Sequence, residues 1–210
     1  MKTIALISQK GGAGKSTLAR QFSVLAGEEG PSWIIDRDPQ QTSARWHERR
    51  QDGDTPPEQP GLIDLGGTTL TAAVAALKAQ PGTLFIDTRP AVTEPEAEAA
   101  RLADLALVPV RPSLDDLEAI GATLDMLRRV KTRTIIIINA AKNERRAIEA
   151  RAALSVHTAA VCPHHLADRA VYLDATVAGL GVGELRGAAA VAADAELRRV
   201  WTWIMKEAAE

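Results

Sequence analysis

Short apolar runs alternate with amphipathic stretches along the whole chain. The runs at Thr3–Ser8, Ser32–Asp36, Leu62–Leu65, Thr83–Asp87, Leu105–Val110, Arg133–Asn139 and His157–Val161 predict strands. Helical periodicity fills the intervals: Ser16 to near Gly27, Thr42–Arg50, Thr69–Ala79, Glu94–Leu102, Ser113–Val130 and Asn143–Ala153, then Arg169–Ala178 and Ala188–Ala208 at the end. Gly30-Pro31 and Pro81-Gly82 punctuate the pattern, and Asp52–Gly61, rich in Pro, Gly and acids, reads as the clearest loop. Ile135–Ile138 is an unbroken β-branched run, as expected of a strand buried on both faces of a parallel sheet. Strands alternating with helices imply an α/β fold: a doubly wound, mostly parallel sheet flanked by helices, in one domain over residues 1–210. Such sheets bind ligands beyond the carboxyl ends of their strands. The chemistry is therefore to be sought just after each run.

The first strand is followed by Gln9-Lys10-Gly11-Gly12-Ala13-Gly14-Lys15-Ser16-Thr17. Glycines let successive backbone N–H groups turn inward around phosphate oxygens, and the next helix presents its unpaired N–H groups and positive dipole end to the same anion. Lys15 then reaches the β- and γ-phosphates, and the Ser16 hydroxyl is the Mg²⁺ ligand of such a loop. The usual pattern has Gly where this chain has Gln9, and it lacks the early second lysine, Lys10.

Lys-Gly-Gly-x-Gly-Lys-Ser resembles the deviant Walker A motif of the ParA/MinD ATPases, a branch of the P-loop NTPases. The resemblance implies ATP and Mg²⁺ as ligands, held by Lys10, Gly11, Gly12, Ala13, Gly14, Lys15, Ser16 and Thr17. It also implies that Lys10 crosses a dimer interface to the phosphates of the partner's nucleotide. A nucleotide sandwiched between two loops carries several negative charges into a dry interface, where each needs a paired cation.

Later motifs fall in the same order as in that family. Asp36-Arg37-Asp38-Pro39-Gln40 resembles its Asp-x-Asp-Pro-Gln segment, in which the second aspartate orients the attacking water and the first helps organise the Mg²⁺ shell. Those roles fall to Asp38 and Asp36. Phe85-Ile86-Asp87-Thr88 resembles Walker B and brings Asp87 to the metal, through water. Arg89 departs from the Pro-Pro or Ala-Pro that follows in relatives; it is expected to be a solvated loop residue or to pair with a nearby acid, the alternative being a charge stabiliser on phosphate. Ser113 is a candidate helix N-cap, with Asp115 and Asp116 in the first turn. Asn139 and Pro163 occupy places where relatives contact adenine, although Ala140 breaks the family's Asn-Arg pair.

Composition narrows the partners. A net charge of −2 over 210 residues gives no global attraction to polyanions, so nucleic-acid binding needs a local patch. The single cysteine, Cys162, excludes an internal disulfide framework and suits a cytoplasmic location. His164-His165 beside it fits no zinc spacing. In the last helix Leu197, Val200, Trp201 and Ile204 form a core stripe. Asp194, Glu196, Glu207 and Glu210 oppose Arg198, Arg199 and Lys206, a poor surface for anionic lipid, so no membrane partner is expected. Trp203 between Arg199 and Lys206 is either a phosphate-contacting surface or a partly covered side chain.

The short chain is similar to small plasmid-type ParA proteins of the ParF kind. This implies an ATP-driven cycle that positions plasmid, chromosome or other cargo. An ATP-bound homodimer would bind DNA without sequence preference and associate with the nucleoid. A small adaptor protein would stimulate hydrolysis. Arg169, Arg186, Arg198, Arg199 and Lys206 are the candidate DNA contacts. Two alternatives stay open: a MinD- or VirC1-like spatial organiser, and a small-molecule ligase resembling dethiobiotin synthetase.

Overall fold

In the computed structural model, which describes residues 1–52 and 56–209, the isoleucine run becomes an interior strand, next to the edge, of a seven-stranded sheet. Part of the expected 52–61 loop, residues 53–55, and the acid at Glu210 lie outside the described residues. The strands are β1 (Lys2–Leu6), β2 (Ser32–Asp36), β3 (Gly61–Leu62), β4 (Thr83–Asp87), β5 (Leu105–Val110), β6 (Thr134–Ile138) and β7 (Ala160–Val161). The helices are α1 (Lys15–Glu29), α2 (Thr42–Gln51), α3 (Leu70–Leu77), α4 (Glu94–Leu102), α5 (Leu114–Val130), α6 (Glu144–Leu154), α7 (Val171–Ala178) and α8 (Ala188–Glu207).

The strand order is β3-β2-β4-β1-β5-β6-β7, and every pairing is parallel. β1 lies between β4 and β5, while the connection through α1 leads away to β2. The chain thus diverges at the carboxyl end of β1, where a doubly wound sheet opens its ligand crevice.

Two apolar layers clamp the sheet. On one face Ile4, Leu6, Ile34, Phe85, Ile135 and Ile137 meet α1, α7 and α8, with Phe22 stacked on Trp201 at 5.5 Å. On the other, Ala5, Ile7, Ile35, Ile86, Ile136 and Ile138 meet α3 to α6. Alternation of odd and even isoleucines between the layers follows from the two-residue period of a strand. The stripe Leu197, Val200, Trp201 and Ile204 is buried in the first layer, and Trp203 is half-buried against it.

Several expected boundaries move, each for a local reason. β3 ends at Leu62 rather than Leu65: Ile63 still donates to the Ile34 carbonyl (2.9 Å), but the chain then turns at Asp64, whose carboxylate caps the Gly66 N–H. β7 starts at Ala160 rather than His157, because the His157 N–H closes the turn after α6 on Leu154. α1 runs past Gly27, which serves close packing: a Cβ there would lie 2.8 Å from the Gln59 Cβ. α7 begins at Val171, two residues later than expected, and a single 3₁₀ turn, Val182–Glu184, follows it.

Candidate functional site

The loop between β1 and α1 takes its shape from its glycines. Gly12 and Gly14 have φ of 73° and 106°, a region closed to most side chains. A Cβ on Gly14 would also fall 2.0 Å from the Asn139 amide nitrogen. Because Gly14 is the helix N-cap, no side chain caps α1, and its first-turn N–H groups stay available to an anion. Lys15 is only 5 % exposed and folds back so that Nζ donates to the Lys10 carbonyl at 3.4 Å. Burial lowers its pKa, while the charges of Asp87, Asp38 and Glu96 pull the other way.

Three carboxylates meet this loop. Asp87, at the end of β4, is fully buried; its Oδ2 accepts from the Ser43 hydroxyl at 2.7 Å. Its Oδ1 is buried and has no partner among the described residues. Burial pushes the carboxyl up to about 6, the hydroxyls of Ser43 and Ser16 opposing. A buried carboxylate oxygen left orphaned beside the Ser16 hydroxyl fits a hard divalent cation. No group of His, Cys, Asp and Glu among the described residues makes a metal cage. That combination suits Mg²⁺, which is held by one or two protein oxygens together with phosphate and water.

Asp36 is occupied differently. Oδ1 accepts from the Asp38 N–H (3.0 Å), and Oδ2 from the N–H groups of Ser43 and Ala44 (2.9 and 3.0 Å). It therefore ties the segment after β2 to the first turn of α2, and any part in a metal shell is added to that. Asp38 accepts from the Gln40 N–H (2.9 Å) in an Asx turn and keeps its other oxygen free among the described residues.

A cavity of about 490 Å³ opens over the loop, lined by Gly11, Gly12, Gly14, Lys15, Ser16, Thr17 and Asp38 and also by Arg20, Arg45 and Arg49. Lys10 does not line this cavity. It flanks the loop on the other side, in a crevice with Pro109, Val110 and Asp116. Nearby, Arg111 forms a two-pronged pair with Asp116 (2.9 and 3.2 Å) and lies against Gly12. Asn139 is brought to the loop: its Nδ2 donates to the Ala13 carbonyl at 2.8 Å, which leaves Oδ1 for a base. Pro163 is exposed just past β7; neither it nor Asn139 lines the cavity. A larger cleft, about 620 Å³, sits at the amino ends of β6 and β7, away from this loop.

The sequence profile of the CbiA family, the CobQ/CobB/MinD/ParA nucleotide binding domain, matches residues 4–169. The chain belongs to this family. ParA of Rhizobium radiobacter is 28% identical over 123 residues, which are 58% of this chain and 54% of that protein, so the match spans about half of the relative's length. A plasmid partition protein from Borrelia burgdorferi B31, solved with AMPPNP, superposes with a TM-score of 0.76 at 15% identity, over 98% of this chain and 99% of the other. The ATP complex of a McdA variant from Cyanothece gives 0.74 at 19%, over 99% and 96%. MinD from Aquifex aeolicus gives 0.74 at 18%, over 98% and 97%. At these identities the likeness is one of fold: this is the ParA/MinD architecture.

Within this CbiA-family chain the remaining candidates separate. Arg89 pairs with Glu96 (3.0 Å), as expected of a loop arginine beside an acid. Ser113 caps α5 through the Asp116 N–H. His165 lies 3.6 Å from Glu144, and Cys162 is buried. Of the basic residues around α8, Arg169 is bound to Glu196 (2.6 Å) and Arg198 to both Glu28 and Asp194 (2.7 Å each). Arg186, Arg199 and Lys206 are exposed and have no carboxylate partner among the described residues. No helix among the described residues is long and apolar enough to cross a membrane.

Sequence reasoning missed Ser43, Arg20, Arg45, Arg49 and Arg111. One signal was available: Arg45 and Arg49 stand four apart in the helix that follows the Asp-Pro-Gln segment, which stacks like charges on one helix face.

Proposed function

We propose that this protein is an ATP-hydrolysing partition or positioning protein. Two copies close over two ATP molecules. The observation that carries the reading is one cavity lined by a capless helix N-terminus, Lys15 and Asp38 with its free oxygen, with the orphaned Asp87 carboxylate buried close enough for its charge to act on Lys15.

The loop N–H groups and Lys15 hold the phosphates, and Ser16 with Asp87 holds Mg²⁺, Asp36 keeping the adjoining segment in place. When bound, that ion neutralises charge on the β- and γ-oxygens. Asp38 orients a water in line with the γ-phosphorus, whose bond to the bridging oxygen breaks to give ADP and orthophosphate. Asn139 and Pro163 frame the adenine. Lys10, on the outer flank of the loop, reaches the partner's nucleotide; its absence from its own cavity wall supports that direction.

The ATP-bound dimer binds DNA without sequence preference, using Arg186, Arg199 and Lys206 doubled by symmetry, with Arg169 and Arg198 added where phosphates displace their carboxylates. It works in the cytoplasm, on the nucleoid in the ATP state. A small adaptor protein on the cargo stimulates hydrolysis, which returns the protein to monomer and releases DNA.

Sedimentation with ATP and Mg²⁺ tests the core of this. Wild type should sediment as a dimer with ATP and a monomer with ADP. Lys10→Ala should bind ATP yet stay monomeric, and Asp38→Ala should dimerise while its turnover falls by about 10²–10⁴-fold. A Lys10→Ala dimer as stable as wild type would refute the crossing lysine. DNA retention that ignores both ATP and salt would refute the DNA-binding cycle.

A further inference from the structure

The lining of the phosphate cavity holds more positive charge than the loop needs. Arg45 and Arg49 project from consecutive turns of α2, and Arg20 comes up beneath them from α1, one turn beyond Thr17. None of the three has a carboxylate within ion-pair distance among the described residues, whereas Arg50, Arg89, Arg111, Arg169 and Arg198 each do. Arg20 is only 5 % exposed. Its Nη1 donates to the Thr42 carbonyl (3.3 Å), its Nη2 to the Thr17 hydroxyl (3.4 Å), and its buried Nε has no partner. The Arg49 Nε donates to the Thr176 carbonyl (3.1 Å), leaving its terminal nitrogens free among the described residues.

A structural tie between α1 and α2 accounts for the Arg20–Thr42 bond. It does not account for a second and third guanidinium in the same cavity. Like charges four residues apart oppose helix formation, and the charges of Asp87 and Asp36 offset only part of the cost of burying Arg20, to which Arg49 adds. Both costs vanish if an anion sits among the three. The place is defined by what surrounds it. The same cavity is lined by the phosphate loop, Asp38, Gln40, Pro90 and Thr176 together with the three arginines. Asn139 and Pro163, assigned above to the base, do not line this cavity.

We infer that Arg20, Arg45 and Arg49 form a second anion subsite that takes orthophosphate, holding the group cut from ATP while ADP still occupies the loop. This rests on the hydrolysis proposed above. The balance is simple: ATP and water give ADP, orthophosphate and a proton, and the orthophosphate moves one place along the cavity without forming another bond. Guanidinium forks match a tetrahedral dianion by paired, charge-assisted hydrogen bonds. A nucleic-acid phosphate is disfavoured by access, because Arg20 is only 5 % exposed and a duplex backbone cannot reach it. The subsite would delay phosphate release and so lengthen the nucleotide-bound dwell.

Calorimetry on the full chain tests this without turnover. ADP and Mg²⁺ are titrated first; if ADP does not bind, the nucleotide reading itself falls and the subsite with it. Inorganic phosphate is then titrated into the ADP-saturated protein. The expected result is saturable phosphate binding, weakened at least about tenfold in Arg45→Ala/Arg49→Ala and partly recovered in Arg45→Lys/Arg49→Lys, with ADP affinity unchanged. Both positions lie toward the surface of α2, where alanine favours the helix, and circular dichroism confirms folding. Equal phosphate affinity in wild type and the alanine variant overturns the inference. So does an absence of phosphate binding to the ADP complex, or displacement of phosphate by a short DNA duplex.

Discussion

Arg49 and Arg50 are neighbours in the chain and meet opposite fates. Arg50 turns inward to the seam between α2 and the 3₁₀ turn after α7. There it is 3 % exposed, bound by both Glu184 oxygens (2.6 and 2.7 Å) and by the carbonyls of Gln59 and Gly179, with Trp46 under its guanidinium. Arg49 faces the phosphate cavity with Arg20 and Arg45 and has no carboxylate partner among the described residues. The α8 region resembles the first situation, since Arg169 and Arg198 are neutralised in place. An arginine with its own carboxylate contributes to the fold. One held on a cavity wall without a carboxylate is set up for an anion that arrives later.

The largest effect that sharpens this contrast is Arg50→Ala. It leaves the Gln59 and Gly179 carbonyls without that donor and Glu184 with only the Gly181 N–H, and should cost about 3–5 kcal/mol, or roughly 10 °C in thermal melting for a chain of this size. A loss below about 1 kcal/mol would mean that the seam does not depend on the pair. Arg198→Ala breaks two exposed pairs and should cost no more than about 1 kcal/mol, a cost that high salt removes, with ATP affinity unchanged.

Acid should act on the Arg169 pair. Burial would raise the Glu196 carboxyl, but hydrogen bonds from Arg169 and the Ala167 N–H hold it below its usual 4.5. A depressed carboxyl stabilises the fold above its unfolded value and loses that contribution as pH falls through the folded one. The stability gap between wild type and Glu196→Gln should thus be full at neutral pH and close below 4.5, as read by denaturant melts. The smallest effect is Arg45→Ala, which relieves repulsion with Arg49 and should stabilise the nucleotide-free protein by about 0.2–0.5 kcal/mol. Marked destabilisation there would break the comparison, since it would show Arg45 already paired.

Much of the candidate site could be read along the chain because its parts are contiguous. The loop from Lys10 to Thr17 needs only a strand before it and a helix after it, and both are written in the periodicity. Asp36, Asp38 and Asp87 were legible as acids ending apolar runs. Their different duties were not: Asp36 is tied to backbone N–H groups of α2, and Asp87 is buried with one oxygen bound to Ser43 and the other orphaned. Edge strands were read too long at β3 and β7, since a strand with one neighbour ends where its hydrogen bonds do, whatever apolar residues follow. Arg169 and Arg198 looked available for DNA because Glu196 and Glu28 lie on other elements; only Asp194, one turn before Arg198 on the same helix face, could be read from spacing.

Sequence alone determined the alternation of strands and helices, the phosphate loop and the order of the acidic motifs, because each depends on neighbours a few residues apart. Tertiary structure decided which charges are matched. Arg20 and Arg49 come from different helices to one cavity, Arg50 finds Glu184 across 134 residues, and Asn139 reaches back 126 residues to the loop. Those distances along the chain close only when the sheet is assembled, and a charge is free or paired only once its surroundings exist.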